Sequence, residues 1–207
     1  MLDPFVRRLI DPPLDRVGAW LARRGVGANT LTATGLVVGL LAVPLLATQH
    51  YLWALAAILA NRLLDGLDGA VARRTALTDF GGYFDIVADM VFYAATVLGF
   101  ALAEPANAIW AALLLTGFMG TGASFLAWAA VAAKRGETTD VRGRKSIYYS
   151  AGIVEGTETV LFFVAMCLWP ATFAWLAAIF AALCLWTTAA RLIAAWDRWR
   201  AGGASLQ

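Results

Sequence analysis

Asn61-Arg62-Leu63-Leu64-Asp65-Gly66-Leu67-Asp68-Gly69-Ala70-Val71-Ala72-Arg73 and, shortly after it, Gly81-Gly82-Tyr83-Phe84-Asp85-Ile86-Val87-Ala88-Asp89 set acids inside apolar sequence. Asp65 and Asp68 are three residues apart and Asp85 and Asp89 four apart, so on helices each pair shares a face. The first pair falls roughly two turns before the end of its helix, and the second one to two turns after the start of its own. Two antiparallel helices joined by the short basic turn bring all four carboxylates to one depth, facing each other. An ionisable group within a membrane span costs at least about 2.5–3.5 kcal/mol on insertion scales, and like charges so placed repel. Either a network with Arg62, Arg73 and Arg74 neutralises them, or divalent cations do. Oxygen donors without His or Cys suit Mg²⁺, Mn²⁺ or Ca²⁺ rather than zinc. Four carboxylates suit two ions in a phosphoryl-transfer arrangement. Gly66, Gly69 and Ala72 carry almost no side chain, and Gly81 and Gly82 open the next helix, so a diphosphate can approach this backbone closely.

Outward from these acids the chain is a series of apolar segments. They run at about Leu31–Thr48, Tyr51–Leu64 continuing helically to Arg74, Gly81–Ala103, Ala108–Ala133, Ile147–Trp169 and Thr172–Trp196. A helix needs about 20 apolar residues to cross a bilayer. The connectors Gln49-His50, Glu104-Pro105-Ala106-Asn107 and Pro170-Ala171 hold none of the 16 Lys and Arg residues. Arg7, Arg8, Arg16, Arg23 and Arg24 precede the first segment, and Arg62, Arg73 and Arg74 end the second. Lys134, Arg135, Arg142, Arg144 and Lys145 separate the fourth from the fifth, and Arg191, Arg198 and Arg200 end the sixth. These groups share one side only with six spans, and the positive-inside rule makes that side cytoplasmic, with both termini inside. From Pro13 to Arg24 the pattern is helical, with Leu14, Val17 and Leu21 on one face and Asp15, Arg16 and Arg23 elsewhere. Pro13 suits a first helical turn, and a basic amphipathic helix beside a span lies at the membrane interface. The expected fold is an all-α integral membrane protein: six transmembrane helices over residues 31–196, preceded by an N-terminal amphipathic interfacial helix in a cytoplasmic segment, residues 1–28. Residues 1–207 form a single domain.

Composition narrows the function classes. The chain has 207 residues, 61% hydrophobic and only 14% charged, against about 25% charged in a soluble domain, which excludes a soluble globular or a disordered protein. A formal net charge of +2 is too small for a nucleic-acid binder. Cys167 and Cys184 lie in apolar stretches and read as small core residues. The tryptophans fall mostly near span ends, as interfacial belts do. Thr116, Gly117, Gly120 and Ser124 give the fourth span a small-residue face for close packing, within the subunit or across a dimer.

The string Asp65-x2-Asp68-Gly69-x2-Ala72-Arg73-x7-Gly81-x3-Asp85-x3-Asp89 resembles the signature of the CDP-alcohol phosphotransferase family, membrane enzymes of phospholipid headgroup synthesis. Asn29-Thr30-Leu31-Thr32 and the six-span layout extend the likeness over most of the chain. Arg144-Lys145-Ser146-x-Tyr148-Tyr149 and Glu155-Gly156-x-Glu158-Thr159 are similar to a little-characterised bacterial inner-membrane branch. The resemblance implies that Asp65, Asp68 and Asp85 bind Mg²⁺ or Mn²⁺, two ions per subunit, with Asp89 close to or also on them. It implies that Gly69, Ala72, Arg73 and Gly81, with Asp65, shape a cytidine-diphosphate pocket, and that Asp89 is the general base. It further implies a homodimer in a bacterial inner membrane, with the active site facing the cytoplasm. The expected reaction is metal-dependent transfer of a phosphatidyl group from CDP-diacylglycerol to the hydroxyl of a small polar alcohol, releasing CMP.

Two sets of residues compete for the acceptor. Arg142, Arg144 and Lys145 before the fifth span and Arg191 within the sixth suit an acceptor that already carries phosphate, such as glycerol 3-phosphate. Glu155 and Glu158, one turn apart in the fifth span with Tyr148 and Tyr149 nearby, suit an unphosphorylated polyol or amino-alcohol, or pair internally with Arg191 or Lys145. Met90 follows the last aspartate where family members that use glycerol phosphate often carry Lys. An arginine among apolar residues needs an anion, which favours the phosphorylated acceptor. A divalent cation transporter is the remote alternative; it needs polar groups through both membrane halves or inverted repeats, and the outer halves here are apolar. An Asp-rich prenyltransferase would need more spans.

Overall fold

The computed structural model describes residues 3–136 and 156–200, and among them every regular element is a helix. In chain order these are α1 (Asp3–Arg23), α2 (Ala28–Leu40), α3 (Ala42–Ala47), α4 (Tyr51–Ala72), α5 (Asp79–Ala103), α6 (Ala108–Lys134), α7 (Gly156–Leu168) and α8 (Phe173–Arg200). Short 3-10 turns, Pro105–Asn107 and Pro170–Thr172, lead into α6 and α8. The first apolar segment is two helices rather than one. Pro44 has no N–H to donate to Leu40, so the ladder breaks and the chain turns at Leu41 before α3 resumes. The N-terminal helix is longer than its amphipathic pattern, starting at Asp3 and passing through Pro12 and Pro13. The carbonyls that these prolines leave without donors fall at Arg8 and Leu9, which are exposed.

Four helical stretches among the described residues are long and apolar enough to cross a membrane: Ala28–Ala47, Asp79–Ala103, Pro105–Lys134 and Pro170–Arg200. Helix α4 has the length, 22 residues, but Arg62, Asp65 and Asp68 interrupt its apolar character. Helix α7 is described over 13 residues.

Helix α2 lies against α4 and α5, α3 packs on α5 and α4, and α6 pairs along its length with α8. The core between them is aromatic: Phe92, Phe100, Phe163, Phe173 and Phe180 are fully buried. Phe100 stacks on Phe173 at 4.8 Å, and Phe162 on Phe180 at 4.3 Å. Cys167 and Cys184 are free and buried in this core. A smaller cluster of Leu14, Leu31, Leu67 and Val71 fixes α1 to α2 and α4.

Glycines set two of these contacts. A Cβ on Gly18 would lie 2.7 Å from Ala70 Cβ, and one on Gly66 would lie 2.7 Å from Leu14 Cδ1. Gly66 therefore seats α1 rather than baring backbone to a diphosphate, because its open side is filled by Leu14. On α6, a Cβ on Gly117 would lie 2.9 Å from Cys184 Cβ, and one on Gly120 would lie 2.8 Å from Thr188 Oγ1. Helix α8 of the same chain covers that small-residue face, so it is not the docking surface for a second copy.

Candidate active site

The start of α5 is held by its own cap. Thr78 Oγ1 accepts from Gly81 N–H at 3.0 Å, and Asn29 at the start of α2 closes over the same glycine: a Cβ there would lie 2.9 Å from Thr78 Oγ1 and 3.2 Å from Asn29 Oδ1. Gly81 thus lets two helix starts meet. Gly82, beside it, faces open space. From this anchor α5 presents Asp85 and Asp89 toward the second half of α4, which presents Asp65 and Asp68.

Three of these acids meet. Carboxylate oxygens of Asp65, Asp68 and Asp85 all lie within 4.8 Å of one another. Asp68 is only 6% exposed, and Thr32 Oγ1 on α2 donates to its Oδ2 at 2.5 Å. A narrow crevice lined by Thr32, Asn61, Arg62, Asp65, Asp68 and Asp89 encloses about 10 Å³, the room of roughly one water-sized occupant.

Asp89 is held differently. Arg62 Nη2 donates to its Oδ1 at 2.7 Å, and Asp89 Oδ2 has no hydrogen-bond partner among the described residues. Arg62 Nη1 also lies 3.6 Å from Asp65 Oδ2. The guanidinium is itself anchored: Nε donates to Asn61 Oδ1 at 2.7 Å and Nη1 to Tyr93 Oη at 2.9 Å. It lies over the rings of Phe92 and Tyr93, 4.6 and 5.1 Å from their centroids. Asn61 in turn donates to Gly35 O at 2.8 Å. One arginine thus pairs with two of the four carboxylates, and Asp68 and Asp85 form no ion pair among the described residues.

The expected pocket residues sit at the end of α4. Arg73 caps the helix, its Nη1 lies 3.3 Å from where a Cβ on Gly69 would be, and its Nη2 donates to Asp15 of α1 at 3.1 Å. Ala72 is the last residue of α4. The acceptor candidates are less gathered. Arg191 on α8 donates through Nη1 to Thr121 O at 2.9 Å and lies 3.5 Å from Ser124 Oγ, joining α8 to α6. Glu158 lies half-buried in the first turn of α7. Met90 packs toward α6, its Cε 2.7 Å from where a Cβ on Gly122 would stand. Arg142, Arg144, Lys145, Tyr148, Tyr149 and Glu155 lie outside the described residues.

Sequence reasoning passed over Thr32, Asn61 and Tyr93 as site residues. Asn61 left a readable signal, an amide beside an arginine in an otherwise apolar run. Thr32 left only its place in the Asn29-Thr30-Leu31-Thr32 stretch, and Tyr93 left none, because a tyrosine in a span is ordinary.

Residues 26–196 match the sequence model of a family described as CDP-alcohol phosphatidyltransferase. The inner membrane protein YnjF of Escherichia coli (strain K12) is 51% identical over 193 residues, 93% of this chain and 94% of that protein. An archaetidylinositol phosphate synthase of Pyrococcus horikoshii is 36% identical over 98 residues, 47% of this chain and 52% of that protein. A crystal structure of Mycobacterium tuberculosis phosphatidylinositol phosphate synthase with CDP-DAG bound superposes with a TM-score of 0.68 at 20% identity, over 88% of this chain and 93% of the other. At that identity the likeness is one of fold.

Proposed function

The chain belongs to the CDP-alcohol phosphatidyltransferase family, and from that premise we propose that it moves a phosphatidyl group from CDP-diacylglycerol to the hydroxyl of a small polar alcohol, with release of CMP. It is a membrane transferase of phospholipid synthesis. The observation that carries the reaction is the meeting of Asp65, Asp68 and Asp85, from two helices, within 4.8 Å. Their oxygens, with no ion pair at Asp68 or Asp85 among the described residues, fit a hard divalent ion. Asp65, Asp68 and Asp85 would hold Mg²⁺ or Mn²⁺, with Asp89 beside them on Arg62. When bound, the ions supply positive charge that offsets the diphosphate and stabilises CMP as it leaves.

The chain's own groups do the rest. Gly69 leaves room for the diphosphate, and Arg73 above it supplies a guanidinium to the nucleotide side. Asp89 Oδ2 accepts the proton of the acceptor hydroxyl. The acceptor oxygen bonds to the lipid-side phosphorus as the bond from that phosphorus to the bridging oxygen breaks, and CMP leaves with that oxygen. Positioning supplies most of the rate, because a carboxylate is a weak base toward an alcohol.

In this reading α2–α3, α4, α5, α6, α7 and α8 are six spans, α1 lies at the interface, and both termini and the site face the cytoplasm. The one-sided distribution of Lys and Arg supports that orientation, and similarity to an inner membrane protein supports a bacterial inner membrane. We further propose a homodimer whose contact lies away from Gly117 and Gly120. The acceptor is a phosphorylated polyol such as glycerol 3-phosphate. The support is a relative whose name specifies a product that retains a phosphate.

The test is CMP release from labelled CDP-diacylglycerol by the purified chain in lipid nanodiscs with Mn²⁺, across glycerol 3-phosphate, inositol phosphate, serine and choline. Turnover is expected with a phosphorylated polyol. Asp89→Asn should lower it by roughly 10²–10⁴-fold with helical content unchanged. Turnover with serine or choline alone would hand the acceptor site to Glu155 and Glu158. No CMP with any acceptor would sink the reaction itself.

A further inference from the structure

Arg62 sits where no phosphate-binding role requires it: 13% exposed at its side chain, mid-helix, and locked from behind by Asn61, Phe92 and Tyr93. Its open edge faces two carboxylates from two helices, Asp89 Oδ1 at 2.7 Å and Asp65 Oδ2 at 3.6 Å. A cation that bridges one aspartate of each pair occupies the place a second divalent ion would take. Building on the metal reading above, we propose that Arg62 stands in for the second divalent ion in the substrate-free protein, so that one ion binds at Asp65, Asp68 and Asp85 and Arg62 keeps Asp89 from binding another.

Position supports this. Arg62 already lies between the two helices, 2.7 Å from Asp89 Oδ1 and 3.6 Å from Asp65 Oδ2, where a second divalent ion would meet a like charge at close range. The rigidity of the anchor matters as much as its charge. A guanidinium forked between Asn61, Tyr93 and Asp89 is pre-organised in a way that a flexible lysine is not. Removing the positive charge while keeping a polar group leaves Asp65 and Asp89 facing each other with no cation, and a second ion then fills the gap.

The measurement is Mn²⁺ stoichiometry by electron paramagnetic resonance on the full chain in nanodiscs, without substrate. Wild type should bind one ion per chain and Arg62→Gln two, while Arg62→Lys, which keeps the charge, should bind one. Two ions in wild type, or one in Arg62→Gln, overturns the role of Arg62 and leaves the metal site standing. No Mn²⁺ bound to wild type overturns the metal reading, and this inference with it. Should Arg62→Gln fail to fold, Asp89→Asn decides: the one ion should bind with unchanged affinity, because Arg62 already withholds Asp89. Weakened binding there means that Asp89 is a ligand of the first ion and that Arg62 does not withhold it.

Discussion

The hydroxyl of Thr32 lies 2.5 Å from Asp68 Oδ2 and 3.2 Å from Ala28 O, the shorter bond reaching across from a helix that carries no acid of its own. That bond turns a metal-ligand candidate to a fixed angle, and partners of this kind typically account for 10–100-fold in metal affinity. Thr32→Val keeps the shape and loses the bond, so the Mn²⁺ dissociation constant should rise by roughly tenfold or more, read by titration of the purified chain. A change of less than twofold would reduce Thr32 to a packing residue. The four aspartates were legible because acids in apolar helices are costly and their spacing puts them on shared faces. The bond to Thr32 was not, because it joins residues 36 apart and nothing in a local pattern marks which threonine of a span turns inward. Gly66 shows the converse: its place among the acids suggested a role at the phosphates, and the structure gives that space to Leu14.

Helices α6 and α8 form the most extensive helix pair among the described residues, and their closeness rests on Gly117 and Gly120. Gly120→Leu would drive a side chain into Thr188, whose Oγ1 lies 2.8 Å from the position of even a Cβ. Overpacking of this kind costs about 1–3 kcal/mol, so the purified variant should melt at lower temperature in detergent. A loss of dimer with unchanged melting would return the glycine to a subunit interface. The small-residue pattern did identify a close-packing face, but composition alone cannot say whether the partner helix belongs to the same chain. The break at Leu41 was legible in principle from Pro44, whose missing N–H ends the ladder one turn back. The extension of α1 to Asp3 was not, because paired prolines usually end a helix and here their orphaned carbonyls fall on an exposed stretch.

Across the whole molecule, the all-helical architecture followed from runs of apolar residues near bilayer length, and the expected segments Gly81–Ala103 and Ala108–Ala133 became α5 and α6 within two residues at each end. What patterning could not supply is which helices touch. The aromatic core formed by Phe92, Phe100, Phe163, Phe173 and Phe180 draws on three helices, α5, α7 and α8, and joins residues more than 60 apart in sequence. The divided character of α4 bears on biosynthesis. A helix whose second half holds Arg62, Asp65 and Asp68 is a poor candidate for release into lipid on its own, since each charge near a helix centre weighs about 2.5–3.5 kcal/mol against insertion. Its charges are answered only once α5 has delivered Asp89 and Tyr93 to Arg62 and α2 has delivered Thr32 to Asp68. The translocon should therefore hold α4 until α5 emerges and release the two as a unit. In a glycosylation reporter, α4 alone should insert poorly and α4 followed by α5 well, and Arg62→Leu with Asp65→Leu should free α4 from that dependence. The same residues that would perform the chemistry then set the order in which the ribosome's product enters the bilayer.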